Sequence, residues 1–310
     1  MPRTKNGPRR TFVPIEGRWK FEGNRARYLG STEPSTPFAI CLSPIPFRSG
    51  TVTVRAAMGA KPDKEAAQIL FGYNVATGGY WAVGLGGFGR AYSTTLFIPG
   101  QGWQALDVKG AASEIVPGQV YEIEVNVIGQ RVTLSVDHVS VLESVLPSPL
   151  QGNQAGLYAW GTEEIEFSDF RLLPDKPQIF VVMQFGEPYD DLYQEVIRPV
   201  SEKLGFAPLR ADDVFRPGVI LQDIIREIVG SDVVVAEITP VNANVFYELG
   251  YAHALNKPTI LLANRKTEKL PFDISGYRVI FYDDSIRGKR DIEETFRKHL
   301  ESVSRGFGTA

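Results

Sequence analysis

Sulfur and imidazole are scarce in this chain of 310 residues, which has one cysteine, three methionines and three histidines. A single cysteine, Cys41, excludes an internal disulfide and suits a reducing compartment. There is no Cys/His spacing of a metal centre, no Gly-x-x-x-x-Gly-Lys-Ser/Thr loop and no serine nucleophile elbow, so the sequence calls for no metal. The histidines form no constellation: His138 falls in a predicted hairpin, His299 in a terminal helix, and His253 reads as a packed or partner-facing side chain. A net charge of −3 lacks the basic excess that nucleic-acid binding wants. No apolar run approaches the roughly 20 residues of a membrane span, so no membrane partner is expected. Residues 1–10 are basic without the apolar core of a signal peptide, which predicts a flexible tail and a cytoplasmic protein.

What the chain does have is apolar content, 43%, sufficient at this length for two ordinary cores. It also has two grammars. From 11 to 173 the pattern is short, alternating and punctuated by glycine, with strands predicted over 52–54, 68–71, 80–83, 121–127, 132–136, 155–158 and 165–170 and no amphipathic helix between them. Many short strands argue an antiparallel sandwich. After the Pro-flanked linker 174–177 the pattern becomes strand-then-helix. Strands are predicted over 179–183, 207–210, 233–238, 259–262 and 279–282, and helices over 189–204, 219–229, 245–255 and 292–303. This alternation over 178–310 predicts a flavodoxin-like α/β domain, a parallel sheet of order 2-1-3-4-5 with helices on both faces.

In that order, ligands bind beyond the carboxyl ends of strands 1 and 3. Gln184, Phe185 and Gly186 arrive there after the first strand, and the stretch from Thr239 to Asn244 after the third. Arg210 follows the second strand with Asp212 and Asp213. The run Val233 to Ile238 reads as a strand buried on both faces, and Asn242 or Asn244 can cap the helix that follows. Glu248 then lies about one turn inside that helix. A helix N-terminus offers donors and partial positive charge to a phosphate, while a carboxylate one turn in can meet the attached sugar and stabilise or capture the cation formed when a base leaves ribose. A carboxylate near a helix start also has a purely structural use in opposing the helix dipole. The alternatives stay open for the other candidates as well. Gly186 suits either close approach of a ligand or a simple turn. Arg210 and its aspartates suit phosphate and ribose hydroxyls or a surface ion pair. Tyr247 closes over a sugar or packs, and Asp273 is a further site residue or sits beside a buried turn made by Pro271-Phe272.

Four segments carry a resemblance: Val181-Val-Met-Gln-Phe-Gly-Glu187, Arg210-Ala-Asp-Asp213, Asn242-Ala-Asn-Val-Phe-Tyr-Glu-Leu-Gly-Tyr-Ala252 and Leu270-Pro-Phe-Asp273. With them the C-terminal half resembles the superfamily joining nucleoside 2-deoxyribosyltransferases to Toll/interleukin-1 receptor (TIR) domains and their bacterial relatives. The resemblance implies that Glu248 is the glycosidic carboxylate, with NAD or a nucleoside as substrate and no separate cofactor. It also implies a homo-oligomer acting in antiphage defence. The transferases carry Asp where this chain has Asn242. The N-terminal half is similar to concanavalin A-like, laminin-G-like lectin sandwiches through Gly118-Gln-Val-Tyr121, Gly129, Gly152 to Leu157 and Phe167-Ser-Asp-Phe170. That similarity implies a carbohydrate or other ligand, with Tyr73, Tyr80, Trp81, Tyr92 and Trp103 either stacking on it or filling the sheet faces. Three functions follow in order: an NAD glycohydrolase-like enzyme with a lectin-like sensor, a 2-deoxyribosyltransferase with an accessory domain, and a non-catalytic TIR-like scaffold.

Overall fold

The computed structural model describes residues 12–31, 38–213, 220–266, 270–274 and 276–306. The tail 1–10 and the expected start of a helix at 219 lie outside the described residues, as do the side chains of Asp213 and Asp273. Backbone contacts divide the chain into two compact units. One holds the sandwich up to Pro174; the other runs from Asp175 and also takes in Ile128–Arg131 and Val145–Leu150. The sandwich's last strand continues to Pro174, so only 175–177 remain between the strands of the two units.

Among the described residues the first unit has fourteen strands: β1 (Val13–Glu16), β2 (Trp19–Glu22), β3 (Arg25–Tyr28), β4 (Phe38–Pro46), β5 (Gly50–Ala57), β6 (Ala66–Phe71), β7 (Tyr80–Gly86), β8 (Arg90–Ile98), β9 (Gly102–Ala111), β10 (Val120–Ile128), β11 (Arg131–Val136), β12 (Val139–Val145), β13 (Gln154–Trp160) and β14 (Ile165–Pro174). They form two seven-stranded antiparallel sheets, ordered β1-β4-β13-β6-β7-β8-β9 and β12-β11-β10-β5-β14-β3-β2. In the second sheet burial alternates residue by residue along β5, β10 and β11, the mark of a sheet packed on one face and wetted on the other. β6 and β7 differ, being buried at every position. Cys41 on β4 is fully buried, and burial pushes its thiol far up. Tyr80 and Trp81, adjacent on β7, are both buried although their side chains take opposite faces. Tyr80 belongs to an aromatic cluster with Tyr73, Phe97, Trp103, Tyr158 and Trp160.

The second unit contains β15 (Gln178–Val182), β16 (Ala207–Arg210), β17 (Val233–Glu237), β18 (Thr259–Asn264) and β19 (Val279–Tyr282), parallel and ordered β16-β15-β17-β18-β19. Ile179, Val181, Val233 and Val235 enter one core, and Phe180, Val182, Val234 and Ala236 the other. The unbroken apolar runs follow from this burial on both faces. α3 (Ile220–Gly230) and α4 (Ala243–Ala254) cover the second face. The first is covered by α5 (Ile286–Gly306) and by a helix made of α1 (Tyr189–Leu192), a π-turn (Tyr193–Ile197) and α2 (Arg198–Lys203). The π-turn, unforeseen in the sequence, ends two residues before Pro199, which has no N–H to give a regular helix. α5 starts six residues earlier than expected. Its first turn is polar, so apolar spacing misses it, but Ser285 Oγ accepts from Gly288 N at 3.0 Å and caps it. No helix among the described residues is long and apolar enough to cross a membrane.

Candidate functional site

The central strand β17 delivers the site. Beyond it, Asn242 takes an extended conformation and its Oδ1 accepts from Asn244 N at 2.9 Å, so Asn242 is the N-cap of α4 and Asn244 stands exposed in its first turn. Val245, Leu249 and Ala252 face the sheet and are buried. Residues five apart on an α-helix are turned by about 140°, and this separates Glu248 from His253. His253 Nε2 lies 3.3 Å from Thr259 Oγ1 at the start of β18, and its ring stacks on Tyr277 with centroids 4.3 Å apart. Burial lowers its pKa. That flank of α4 is turned to β18, which places Glu248 on the flank toward β15.

Glu248 is half-buried and has no hydrogen-bond or ion-pair partner among the described residues. Desolvation alone pushes its carboxyl up to about 7. A carboxylate held in this condition is neither neutralised by a cation nor fixed by donors, and so is available to a positive charge arriving in a ligand.

The neighbouring strand ends converge as the topology requires. After β15, Gln184 is half-buried, Phe185 is 52% exposed and Gly186 has φ +89°, with nothing near the place a Cβ would occupy. Gly186 N donates to Asp190 Oδ1 at 3.3 Å, and Arg210 Nη1, from the end of β16, donates to the same oxygen at 2.6 Å. Arg210 also donates from Nε and Nη2 to the two carboxylate oxygens of Asp212, and its guanidinium lies over the rings of Tyr193 and Phe185. Arg210 is only 6% exposed. Its fork is thus taken up by Asp190 and Asp212, in an ion pair in which the arginine is buried and both carboxylates are partly exposed.

Tyr247 is 55% exposed and, among the described residues, is not part of the core cluster beneath α4. The backbone of Asp273 lies in a short 3₁₀ turn, Phe272–Ile274, in which Ile274 is buried beside α4 while Phe272 is 88% exposed. The expected buried turn at Pro271-Phe272 is therefore anchored by Ile274 instead. Among the described residues no group of three or more His, Cys, Asp or Glu is arranged to hold a metal ion.

Two further residues belong to this sheet edge and were not singled out from sequence. Asp190 joins Gly186 to Arg210, although little besides its position in a first helical turn marks it. Glu237, at the end of β17, is 1% exposed and accepts from Thr239 N (3.0 Å), Thr239 Oγ1 (2.5 Å) and Tyr282 Oη (3.2 Å). Burial pushes its carboxyl to about 7 against these bonds, which lower it. A lone Glu within the apolar run Val233–Ile238 was the available signal, because a carboxylate in a doubly covered strand must be bonded or shifted. It lies on the sheet face opposite α4, with Val233 and Val235.

No protein-family model and no curated protein matches the sequence. Solved structures similar to parts of the chain include a carbohydrate-binding module, CBM66, from Bacillus subtilis, with 13% identity over 52% of this chain and 93% of that one and a TM-score of 0.43. Sheep galectin-11 in complex with glycerol has 16% identity over 42% and 95%, with a TM-score of 0.32. The CMP N-glycosidase BcmB of Clostridium botulinum has 19% identity over 40% and 98%, with a TM-score of 0.31. The strand orders above define the two architectures by themselves.

Proposed function

We propose that the α/β unit cleaves the N-glycosidic bond of NAD or a related nucleotide, with Glu248 as the catalytic carboxylate. The observation that carries the reading is the state of Glu248: half-buried, without a partner among the described residues, and one turn inside a helix at the carboxyl edge of a parallel sheet. As the C1′–N bond breaks, nicotinamide leaves with the bonding pair and positive charge builds on the ribose. A carboxylate in a partly desolvated site stabilises that charge more strongly than it would in water. Water then bonds to C1′ and releases its proton to solvent. The start of α4 offers partial positive charge to phosphate oxygens, while Asn244 N is already given to Asn242 and Gly186 N to Asp190. Arg210 contributes indirectly, by holding Asp190 and Asp212. The sandwich serves as a regulatory unit, and a second copy of the chain covers the exposed Tyr247 and Phe185 when the enzyme works.

The test is to incubate the protein at several concentrations with NAD and, separately, with deoxynucleosides, following free nicotinamide and free base, with Glu248→Gln as control. Nicotinamide release that depends on Glu248 and rises per chain with concentration is expected. Base exchange between deoxynucleosides in place of hydrolysis makes the protein a 2-deoxyribosyltransferase. No turnover of either substrate at any concentration makes the unit a binding scaffold.

A further inference from the structure

One buried acceptor on the first sheet of the sandwich is left without a donor. On β6 Gln68 stands in register with Gly84 of β7, and Gly84 with Ser93 of β8. Gly84 has no side chain, so the Gln68 amide lies across β7, where Nε2 donates to Ser93 Oγ at 2.7 Å and to Gly86 O at 3.1 Å. Ser93 Oγ donates its own proton to Gly86 O at 2.6 Å. Because a carbonyl only accepts, these bonds fix which end of the amide is nitrogen, and Oε1 has no partner among the described residues. Gln68 is 1% exposed, so Oε1 calls for a donor from whatever enters beside it.

Gln68 lines a cavity of about 260 Å³ whose other walls are chiefly the rings of Phe88, Trp103, Tyr158 and Trp160. The rings stand at an angle rather than in parallel. Trp103 is inclined by 57° to Tyr158, with centroids 5.0 Å apart, and by 81° to Tyr80 of the same aromatic cluster. Parallel walls would make a slot for a flat base, whereas inclined walls make a box for a rounded group. Each ring face carries partial negative charge, and the carbonyl end of Gln68 adds to it. No charged side chain lines the cavity. Among the described residues Lys and Arg leave these ring faces free, the cation that lies over rings being Arg210, on Phe185 and Tyr193. The box is therefore electron-rich, and its walls supply neither a cation nor a carboxylate.

We propose that this cavity binds an N-alkylated ammonium head that keeps one N–H, a small secondary or tertiary amine in its protonated form. The ring faces and Gln68 Oε1 favour positive charge and repel a carboxylate or phosphate. A bare –NH₃⁺ group is strongly hydrated and would give up its water here without a counter-charge. Alkyl groups spread the charge and turn an apolar shell to the rings. The remaining N–H meets Gln68 Oε1, which a quaternary ammonium would leave unpaired. The volume falls below the roughly 300–1,000 Å³ of drug-sized sites, which suits such a head and excludes a dinucleotide. The site is independent of what Glu248 does.

The experiment titrates the full-length protein at neutral pH with N,N-dimethylethanolamine, following tryptophan fluorescence and heat. Ethanolamine, choline, the uncharged isostere 3-methylbutan-1-ol and glucose are the comparison ligands. Dimethylethanolamine is expected to bind about tenfold tighter than each of them. Trp160→Leu keeps an apolar wall without the ring and should weaken the amine about tenfold while sparing the alcohol. Gln68→Met removes the acceptor and should abolish the preference over choline. Both variants are checked for fold by circular dichroism, and if Gln68→Met fails to fold, Trp160→Leu and the ranking on the wild type decide. A short peptide carrying dimethyllysine separates the sources: tighter binding than the free amine makes the head part of a modified protein, and weaker binding makes it a free metabolite. No saturation by amine or peptide, equal or tighter binding of choline, the alcohol or glucose, or unchanged affinity in folded Trp160→Leu overturns the proposal.

Discussion

Tyr282 reaches over the end of β18 to donate a hydrogen bond of 3.2 Å to Glu237, tying the last strand of the α/β sheet to its central one. Glu237 in turn holds Thr239, whose Oγ1 accepts from Asn264 N at 2.8 Å, so a single buried carboxyl organises the ends of three strands.

Stability should depend on pH through this group. The Glu237 carboxyl is held at about 7 against an ordinary value of 4.5, so between those values the folded protein keeps a proton that the unfolded chain has released. Its contribution is complete below pH 4.5, declines as pH rises, and is lost above 7. Glu237→Gln cannot ionise and removes the dependence. Between pH 5 and 8 the wild type should lose roughly 3 kcal/mol more than the variant in urea unfolding. Parallel pH profiles would show that Glu237 is not protonated in the fold.

Glu248→Gln should retain the fold and lower N-glycosidic turnover by at least about 10²-fold. The working form in the proposed reaction is the ionised carboxylate. Since burial places the group near 7, kcat/KM should rise as pH passes through that value and stay level above it. A profile that instead falls above 7 would make Glu248 a proton donor.

Asn242 divides capping from chemistry. Asn242→Ala removes the acceptor for Asn244 N and should cost about 1 kcal/mol. Asn242→Asp keeps that acceptor and should leave thermal unfolding unchanged or slightly raised, because a negative charge favours a helix start. If both variants unfold together well below the wild type, the amide nitrogen of Asn242 has a role the cap does not explain.

Arg210→Ala should be mainly a stability variant. It leaves Asp190 and Asp212 facing each other without their cation, and because both carboxylates are partly exposed the loss should be about 2 kcal/mol, below that of a fully buried pair. Arg210→Lys restores charge without the two-pronged geometry and should recover only part of it. Chemical denaturation of the three proteins checks this, and a KM effect at unchanged stability would return Arg210 to direct substrate contact.

The readable parts of the sequence were those whose burial leaves a local pattern. β17 was visible because both its faces are covered and its apolar run is unbroken, and the cap at Asn242 because its side chain acts two residues away. The parallel order followed from strand-helix alternation. β4, β8 and β9 were not anticipated: β4 carries Pro44 and Pro46, and β9 mixes glycine, charge and apolar residues without alternation. Contacts set by register were beyond reach for the same reason. Asp190 and Arg210 are 20 residues apart, and Gln68 and Ser93 are 25 apart; each pair meets only once neighbouring strands are aligned.

Cys41 turns the scarcity of sulfur into an experimental handle. As the chain's one thiol, shut inside the sandwich and kept from ionising, it is invisible to alkylating reagents until that unit opens. Its labelling rate is then a clock for the opening of a single domain, with no background to subtract. Timed with and without a candidate ligand of the sandwich, that clock would read any binding as slowed opening.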